Sequence, residues 1–129
     1  MVESRWINLK QYEEGLLELC LPRVSLYHSP IWLNAISSAF GAHVRAICTS
    51  HSGSHRILGL TPFMQIKKGP FILSGSPLTG MHTEFMGPLF ARDLADEYHG
   101  DILLSQHKLL VASSSYIEWG HNDQNLSWM

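Results

Sequence analysis

The stretch of residues 74–90 carries the side chains best suited to chemistry in this sequence. Glycines and prolines recur along it without helical or strand periodicity, and backbone N–H groups beside glycine can face a bound ligand. Between them stand hydroxyl, imidazole and carboxylate groups, at Thr79, His82, Thr83 and Glu84. A loop of this length in a compact domain more often carries function than not. The alternative is a structural crossover whose glycines and prolines only turn the chain.

Eight histidines raise the question of a metal site. His51 and His55 are four residues apart, but they flank a Ser/Gly turn instead of sharing a helical face. Zinc sites need a second pair of ligands at recognisable spacing, and the sequence offers none. We therefore predict no metal site, with the histidines on the surface or at caps. His28 directly precedes a helix start, where packing against Trp32 is its expected role.

Neither a nucleophile motif nor a phosphate loop is present in the sequence. Ser74 and Ser76 lie in a glycine-containing turn, but Gly75 and Gly80 do not have Gly-x-Ser-x-Gly spacing. Both glycine-rich nucleotide loops are absent, as is the Gln/Arg-x-x-Gly-x-Gly/Ala loop that holds an acyl-CoA pyrophosphate. A helix N-terminus needs close glycine approach to hold such a group. These motifs therefore make no cofactor evident, and its identity stays unknown.

Composition limits the class of protein further. The chain has 129 residues, enough for one domain over residues 1–129, with 45% apolar and 16% charged side chains. The formal net charge is −2 without a run of either sign, which argues against DNA binding. The low charge leaves apolar surface for a partner. Cys20 and Cys48 are expected to be buried free thiols.

Targeting signals are also absent from the sequence. No N-terminal stretch combines basic residues, an apolar run and small residues, as a signal peptide does. No apolar run approaches the roughly 20 residues that span a bilayer. We therefore expect no membrane span and a cytoplasmic protein.

The elements that must position the loop begin with two predicted helices. Residues 11–21 place apolar side chains at helical spacing opposite three glutamates, and Pro22 ends this helix. Ser29 and Pro30 form an N-cap followed by proline at the first helical position, and Gly41 supplies the stop.

Strands follow the second helix. Residues 44–49 and 56–66 form a predicted hairpin around a polar Ser/Gly connection, and residues 71–74 form a third strand. Pro62 should interrupt its strand or place it at an edge. A helix over residues 93–112 and a strand over 116–119 complete a mixed α/β (α+β) fold. Its mainly antiparallel sheet carries helices packed on it.

Several segments of this pattern match a known family in order and spacing. Residues 27–33 read aromatic-x-Ser-Pro-x-Trp-Leu and lead to a closing Phe-Gly, and residues 57–63 read Ile-x-Gly-x-x-Pro-Phe. Residues 73–90 form a Gly/Ser-Pro loop ending in Gly-Pro-Leu, and residues 116–118 read Tyr-Ile-Glu. Over residues 24–120 the chain resembles the amino-terminal half of FemAB-like proteins of the GNAT superfamily, and residues 121–129 are a tail.

The resemblance implies a single half of a double-GNAT protein of the cell-envelope or polysaccharide type. Such proteins transfer an amino acid or acyl group to an amine, often from aminoacyl-tRNA, in a cleft between two halves. A second GNAT-like half or a homodimer is the implied partner, with an aminoacyl-tRNA or nucleotide-sugar as substrate. Most catalytic groups come from the other half, so this half is expected to be inactive alone.

Three functions follow in order of preference. The first is the FemAB-type half, in which Trp32, Thr79, His82 and Thr83 would bind substrate. In it His82 or Glu84 would accept a proton from the attacking amine, a role that needs a base with its pKa near the working pH. The second is a non-catalytic interaction module that pairs through a strand edge or helix face. The third is a small stand-alone acetyl-CoA-dependent N-acetyltransferase. Trp32 as a plain core residue remains the alternative to substrate contact.

Overall fold

The computed structural model of the protein describes residues 2–19, 28–54, 56–76, 88–91, 96–114 and 116–118. These residues form six strands and three helices. In chain order they are β1 (Val2–Asn8), α1 (Leu9–Leu19), α2 (Pro30–Phe40), β2 (His43–His51), β3 (Ile57–Lys68), β4 (Phe71–Gly75), β5 (Leu89–Phe90), α3 (Asp96–Ser113) and β6 (Tyr116–Glu118).

The strands make one sheet in the order β1-β2-β3-β4-β6, with β5 pairing β3 beside this path. Every pairing is antiparallel except that of β4 with β6. Alternate residues of the central strands face opposite helical layers. Leu60 and Met64 pack with α1 and α2 in the larger core, whereas Phe63 packs with Leu110 of α3 in the smaller core. The predicted α+β class is therefore confirmed.

Helix α1 begins earlier than the sequence pattern predicted. Asn8 and Gln11 form a reciprocal cap: the Gln11 N–H donates to Asn8 Oδ1 (2.8 Å), and the Asn8 N–H donates to Gln11 Oε1 (3.0 Å). This satisfies backbone donors that a helix start otherwise leaves free. The predicted start at residue 11 missed this box, so the helix runs from Leu9 to Leu19. Cys20 and Pro22 lie outside the described residues.

Helix α2 has the caps that the sequence predicted. The Ser29 hydroxyl accepts the N–H of Trp32 at 3.1 Å, Pro30 occupies the first turn, and Gly41 adopts a left-handed φ of 65°. Each device satisfies or removes orphan backbone groups at a helix end. The predicted boundaries of this helix are confirmed.

Tyr12 fixes α1 to the start of α2. Its ring is buried, and its hydroxyl donates to the His28 carbonyl oxygen at 2.6 Å. Burial raises the pKa of Tyr12 far above its ordinary value of 10.0, because the phenolate would lose its hydration. The folded-state pKa is the higher one, so the resulting stabilisation is complete below pH 10 and is lost as the pH rises above it.

We expect wild-type protein to lose stability above pH 10 more steeply than Tyr12→Phe. The extra slope should approach about 1.4 kcal/mol per pH unit, the value of one additional proton released on unfolding. Urea unfolding over a pH series measures it. Tyr98→Phe, at an exposed tyrosine of α3, is the matched control for the loss of one tyrosine hydroxyl. Equal slopes in wild type and Tyr12→Phe would contradict the assignment.

Helix α3 packs on the opposite face through a buried polar network. The Thr61 hydroxyl donates to Gln106 Oε1 at 2.7 Å, and Gln106 Nε2 donates to Thr49 Oγ1 at 3.1 Å. Ser4 extends the network, with its Oγ 2.7 Å from both Thr49 Oγ1 and Ser105 Oγ. Three strands and one helix are thus joined by side chains that are mostly buried.

Two strands were not predicted, and several boundaries differ by a few residues. Strands β1 and β5 have no counterpart in the sequence pattern, while β2 and β3 are longer than expected. Residue 119 and the predicted tail lie outside the described residues. No helix among those described is long and apolar enough to cross a membrane.

Candidate functional site

The parallel pair β4–β6 is the candidate position for a ligand at the sheet. Strand β4 is antiparallel to β3 but parallel to β6, with Ser74 opposite Ile117 and Gly75 opposite Glu118. The segment with β5 and α3 makes the crossover that a parallel pair needs. Ligands of sheets with parallel strands bind outside the carboxyl ends of those strands. We call this region, where β4 and β6 both end, the β4–β6 end.

The neighbouring edge of β3 has a gap at the same position. Strand β5 pairs with Gly59 and Leu60, and β4 pairs with Met64 and the residues after it. Pro62 lies between the two pairings, and its carbonyl oxygen accepts the Ser76 hydroxyl at 2.6 Å. Within the described residues, β4 and β5 thus lie along the same edge of β3, one after the other, with a gap between them at Pro62.

This arrangement explains how a proline is tolerated in an inner strand. A residue in a strand directs its N–H and C=O to the same edge, and the Pro62 carbonyl points to the β4 side. The missing N–H therefore also lies on the interrupted side, and the ladder with β2 loses no bond. The predicted interruption at Pro62 does not occur, since β3 runs unbroken through it with β2 on one side. The predicted alternative, a sheet edge, holds locally, because neither β4 nor β5 pairs with Pro62 on the other side.

The predicted functional stretch, residues 74–90, begins in β4 and ends in β5, and the loop between these strands, residues 76–88, starts and ends at this gap. Ser76 follows β4 and Pro88 precedes β5, and their strands meet β3 at Met64 and Leu60. Four residues of extended chain span about 13 Å, so both loop ends lie at the β4–β6 end. The candidates inside the loop, Thr79, His82, Thr83 and Glu84, lie outside the described residues, and their roles stay predictions.

Next to the gap, where β3 pairs with β4, three polar side chains form a hydrogen-bonded cluster. Gln65 Nε2 donates to Ser74 Oγ at 3.0 Å, and Ser74 Oγ lies 2.7 Å from Ser114 Oγ. Ser74 is fully buried, and among the described residues its partners are an amide and a hydroxyl instead of a histidine base. A serine nucleophile needs such a base. Ser74 therefore joins β3, β4 and the end of α3 as a structural residue.

The start of α3 is only partly described. The helix begins at Asp96, and residues 92–95 before it lie outside the described residues. The sequence lacks the glycine loop that brings a helix start close to a pyrophosphate.

Trp32 lies in the helical layer that Gly75 faces. It is half-buried and packs on the larger core, which Leu73 of β4 also borders. This placement satisfies the packing role, and a contact of Trp32 with substrate stays a prediction. His28 is buried at the start of α2, where its carbonyl oxygen accepts the Tyr12 hydroxyl.

The remaining reactive side chains have structural surroundings. His51 Nδ1 accepts the Gly53 N–H at 3.1 Å within the hairpin turn, and His55 lies outside the described residues. Cys48 is a buried free thiol, as predicted, and burial raises its pKa. In the described ranges no three His, Cys, Asp or Glu side chains come together as a metal site would require.

Solved structures share this architecture. One is a GNAT family acetyltransferase from Staphylococcus aureus, with a TM-score of 0.52, 12% identity, and coverage of 97% of this chain and 90% of that chain. Another is a ribosomal-protein-alanine N-acetyltransferase from Brucella melitensis, with a TM-score of 0.54, 11% identity, and coverage of 98% and 83%. The fold is that of GNAT acetyltransferases.

At these identities the likeness concerns the GNAT fold alone. The expected GNAT-like sheet with helices on it is thus confirmed over nearly the whole chain. No protein-family model matches the sequence, and no curated protein matches it either. The sequence predicted an interruption or an edge at Pro62, but neither the ends of β4 and β5 on either side of it nor the parallel pair. The proline was the available signal for the gap, since proline inside an apolar run marks a position without a backbone donor.

Proposed function

We propose that this protein is an acyltransferase that acylates an amine at the β4–β6 end. The observation that carries the proposal is the junction of the parallel pair with the gap at Pro62, in a GNAT fold. Both ends of the predicted loop lie at this junction. An acyl donor and an amine could therefore meet beside residues 76–88, a segment with hydroxyl, imidazole and carboxylate groups able to orient them.

The reaction forms one bond and breaks one bond. The amine nitrogen attacks the acyl carbonyl carbon, the bond from that carbon to the donor's sulfur or oxygen breaks, and the amine releases a proton. His82 and Glu84 are assigned to accept this proton, since each can be tuned towards neutral pH. Thr79, Thr83 and Trp32 are assigned to orient the substrates.

We propose a FemAB-type donor, an aminoacyl or acyl group that is not held through a CoA pyrophosphate. The missing glycine loop supports this choice. The family resemblance adds an amine of a cell-envelope or polysaccharide precursor as acceptor. Acetyl-CoA is the second donor, and the coverage of solved acetyltransferases, up to 90% of their length, favours it.

A transfer assay tests the proposal. Purified protein is incubated with radiolabelled aminoacyl-tRNA or acetyl-CoA and a panel of amines, and labelled amide is counted. The resemblance implied a half that is inactive alone, but solved acetyltransferases are covered to 90% and 83% of their length, so we expect transfer from aminoacyl-tRNA by this chain without a second half. We expect a loss of about 10²-fold or more in His82→Ala or Glu84→Ala at an unchanged melting temperature. His107→Ala and Glu14→Ala, at exposed helical positions, are the matched controls. Transfer from acetyl-CoA alone selects the second donor. Absence of transfer from both donors overturns the proposed activity.

A further inference from the structure

Among the strands that the structure describes, β1 forms one edge of the sheet. The strand runs over Val2–Asn8 without proline or register shift, and within the described residues nothing pairs with its outer side. An edge strand of this kind presents a row of unpaired N–H and C=O groups, which is a template for another strand. Two of its residues, Glu3 and Arg5, have exposed charged side chains.

Hydrogen bonds elsewhere in the sheet identify which β1 backbone groups face outward. Carbonyl oxygens of Leu58 and Pro62 bond away from β2, so the odd-numbered residues of β3 face β2. The register of β3 with β2 then shows which β2 residues bond to β3, and the others bond to β1. By the register of β2 with β1, the backbone groups of Glu3, Arg5 and Ile7 bond to β2. The backbone groups that face the outer edge are those of Val2, Ser4, Trp6 and Asn8, and of these the Asn8 N–H already donates to Gln11 Oε1.

This pattern restricts how two copies of β1 could pair. In an antiparallel pair of two β1 strands, a residue whose N–H and C=O face outward must lie opposite another such residue. A two-fold axis that passes through Ser4, Glu3 or Arg5 meets this condition. An axis at Glu3 sets Glu3 against Glu3, and an axis at Arg5 sets Arg5 against Arg5. Only the axis at Ser4 sets Glu3 of each copy against Arg5 of the other, in non-hydrogen-bonded positions, where side chains are closest.

Helix α3 carries a second set of complementary charges at the same axis. Ser105 Oγ lies 2.7 Å from Ser4 Oγ, so α3 crosses β1 at this point. Asp101 and Lys108 lie on either side of Ser105 along α3, both are exposed, and their spacing of seven puts them on one flank. A two-fold axis at Ser4 directs Asp101 of one copy towards Lys108 of the other.

We propose that two copies of this chain pair antiparallel through β1, with Ser4 opposite Ser4, to form one continuous sheet. The occupant of the edge is a second copy because the charge pattern is complementary to itself. The candidate site lies at the other end of the strand order, beyond β4. This proposal is therefore independent of the proposed function, and failure of either leaves the other standing.

Sedimentation velocity over a concentration series tests the dimer with charge reversals. Glu3→Arg and Arg5→Glu each create like-charge pairs, and each should weaken dimerisation about tenfold or more. An equimolar mixture of the two variants should restore dimerisation as a heterodimer. The double variant Glu3→Arg/Arg5→Glu should restore the homodimer. Glu13→Arg and Lys10→Glu change the net charge equally on exposed positions of α1, and they should leave dimerisation unchanged.

Hydrogen exchange of the β1 amides provides a second readout. The Ser4 and Trp6 amides should exchange more slowly as the protein concentration rises, because the dimer buries them. The Arg5 amide is bonded to β2 and should exchange slowly at all concentrations. A monomer at every concentration overturns the proposal. So does a dimer that withstands both reversals, or Ser4 protection that does not depend on concentration, which would mean that the chain's own residues cover the edge.

Discussion

Replacing Gln106 by leucine is expected to lower the free energy of unfolding by about 2–4 kcal/mol. Gln106 is fully buried on α3 and bonds to a hydroxyl on each of two strands. Leucine has a similar volume, so the loss should come from hydrogen bonds instead of from a cavity. Chemical denaturation of wild type and variant, fitted to a two-state transition, measures the difference.

The cost arises from the groups that the substitution leaves behind. Thr61 is fully buried, and its hydroxyl donates to Gln106 Oε1 at 2.7 Å. Without that acceptor the hydroxyl keeps its desolvation penalty and loses its partner, which costs about 1–3 kcal/mol. Thr49 is less affected, because its hydroxyl also lies 2.7 Å from Ser4 Oγ. The larger share of the loss therefore belongs to Thr61.

A double-mutant cycle separates this effect from a change in packing. Gln106→Leu/Thr61→Val removes both partners, and replacing a bonded pair by apolar groups of similar shape is nearly neutral. The double variant should therefore be less destabilised than the sum of the single variants by at least about 1 kcal/mol. His107→Leu, the next residue on α3 and exposed, should change stability by no more than about 0.5 kcal/mol. Additive single effects would show that the network is not coupled.

The network also explains why β1 was not predicted. A half-buried strand is recognised by alternation of apolar and polar residues. On the face of β1 that packs under α3, Ser4 stands where an apolar residue is expected, because it bonds to Thr49 and Ser105. Polar side chains that satisfy one another across three strands remove the period-two signal. Helix α2 was predictable for the opposite reason, since Ser29, Pro30 and Gly41 act within their own segment.

The candidate site was predictable only in part. The loop over residues 76–88 was recognised from its glycines and prolines, which act locally. Its position depends on pairings between distant residues: Met64 with Gly75, Leu60 with Leu89, and Gly75 with Glu118. Strand β5 contributes only Leu89 and Phe90, too short a run to show a period. No local pattern encodes such pairings, so the meeting of the gap with the parallel pair required the structure.

Gly59→Ala is expected to lower the free energy of unfolding by about 1–3 kcal/mol, the usual cost of overpacking a close contact. A Cβ at residue 59 would lie 2.7 Å from Ile102 Cγ2, well inside van der Waals contact. Ile102 is fully buried on α3, and its β-branched side chain has one strongly preferred rotamer in a helix. The methyl group cannot turn away, so α3 must shift from the sheet.

The rescue variant and its control follow from the same contact. Ile102→Leu keeps the side-chain volume but removes the branch at Cβ, and by itself it should cost less than about 1.5 kcal/mol. Combined with Gly59→Ala, it should recover part of the loss, giving a double variant more stable than additivity predicts. Gly100→Ala adds a methyl group to the same helix where nothing lies within 4 Å, and it should raise stability by about 1 kcal/mol. If Gly59→Ala lowers the free energy of unfolding and Gly100→Ala raises it, the loss of stability arises at the contact between α3 and β3. A Gly59→Ala protein as stable as wild type would mean that α3 does not pack this closely on the sheet.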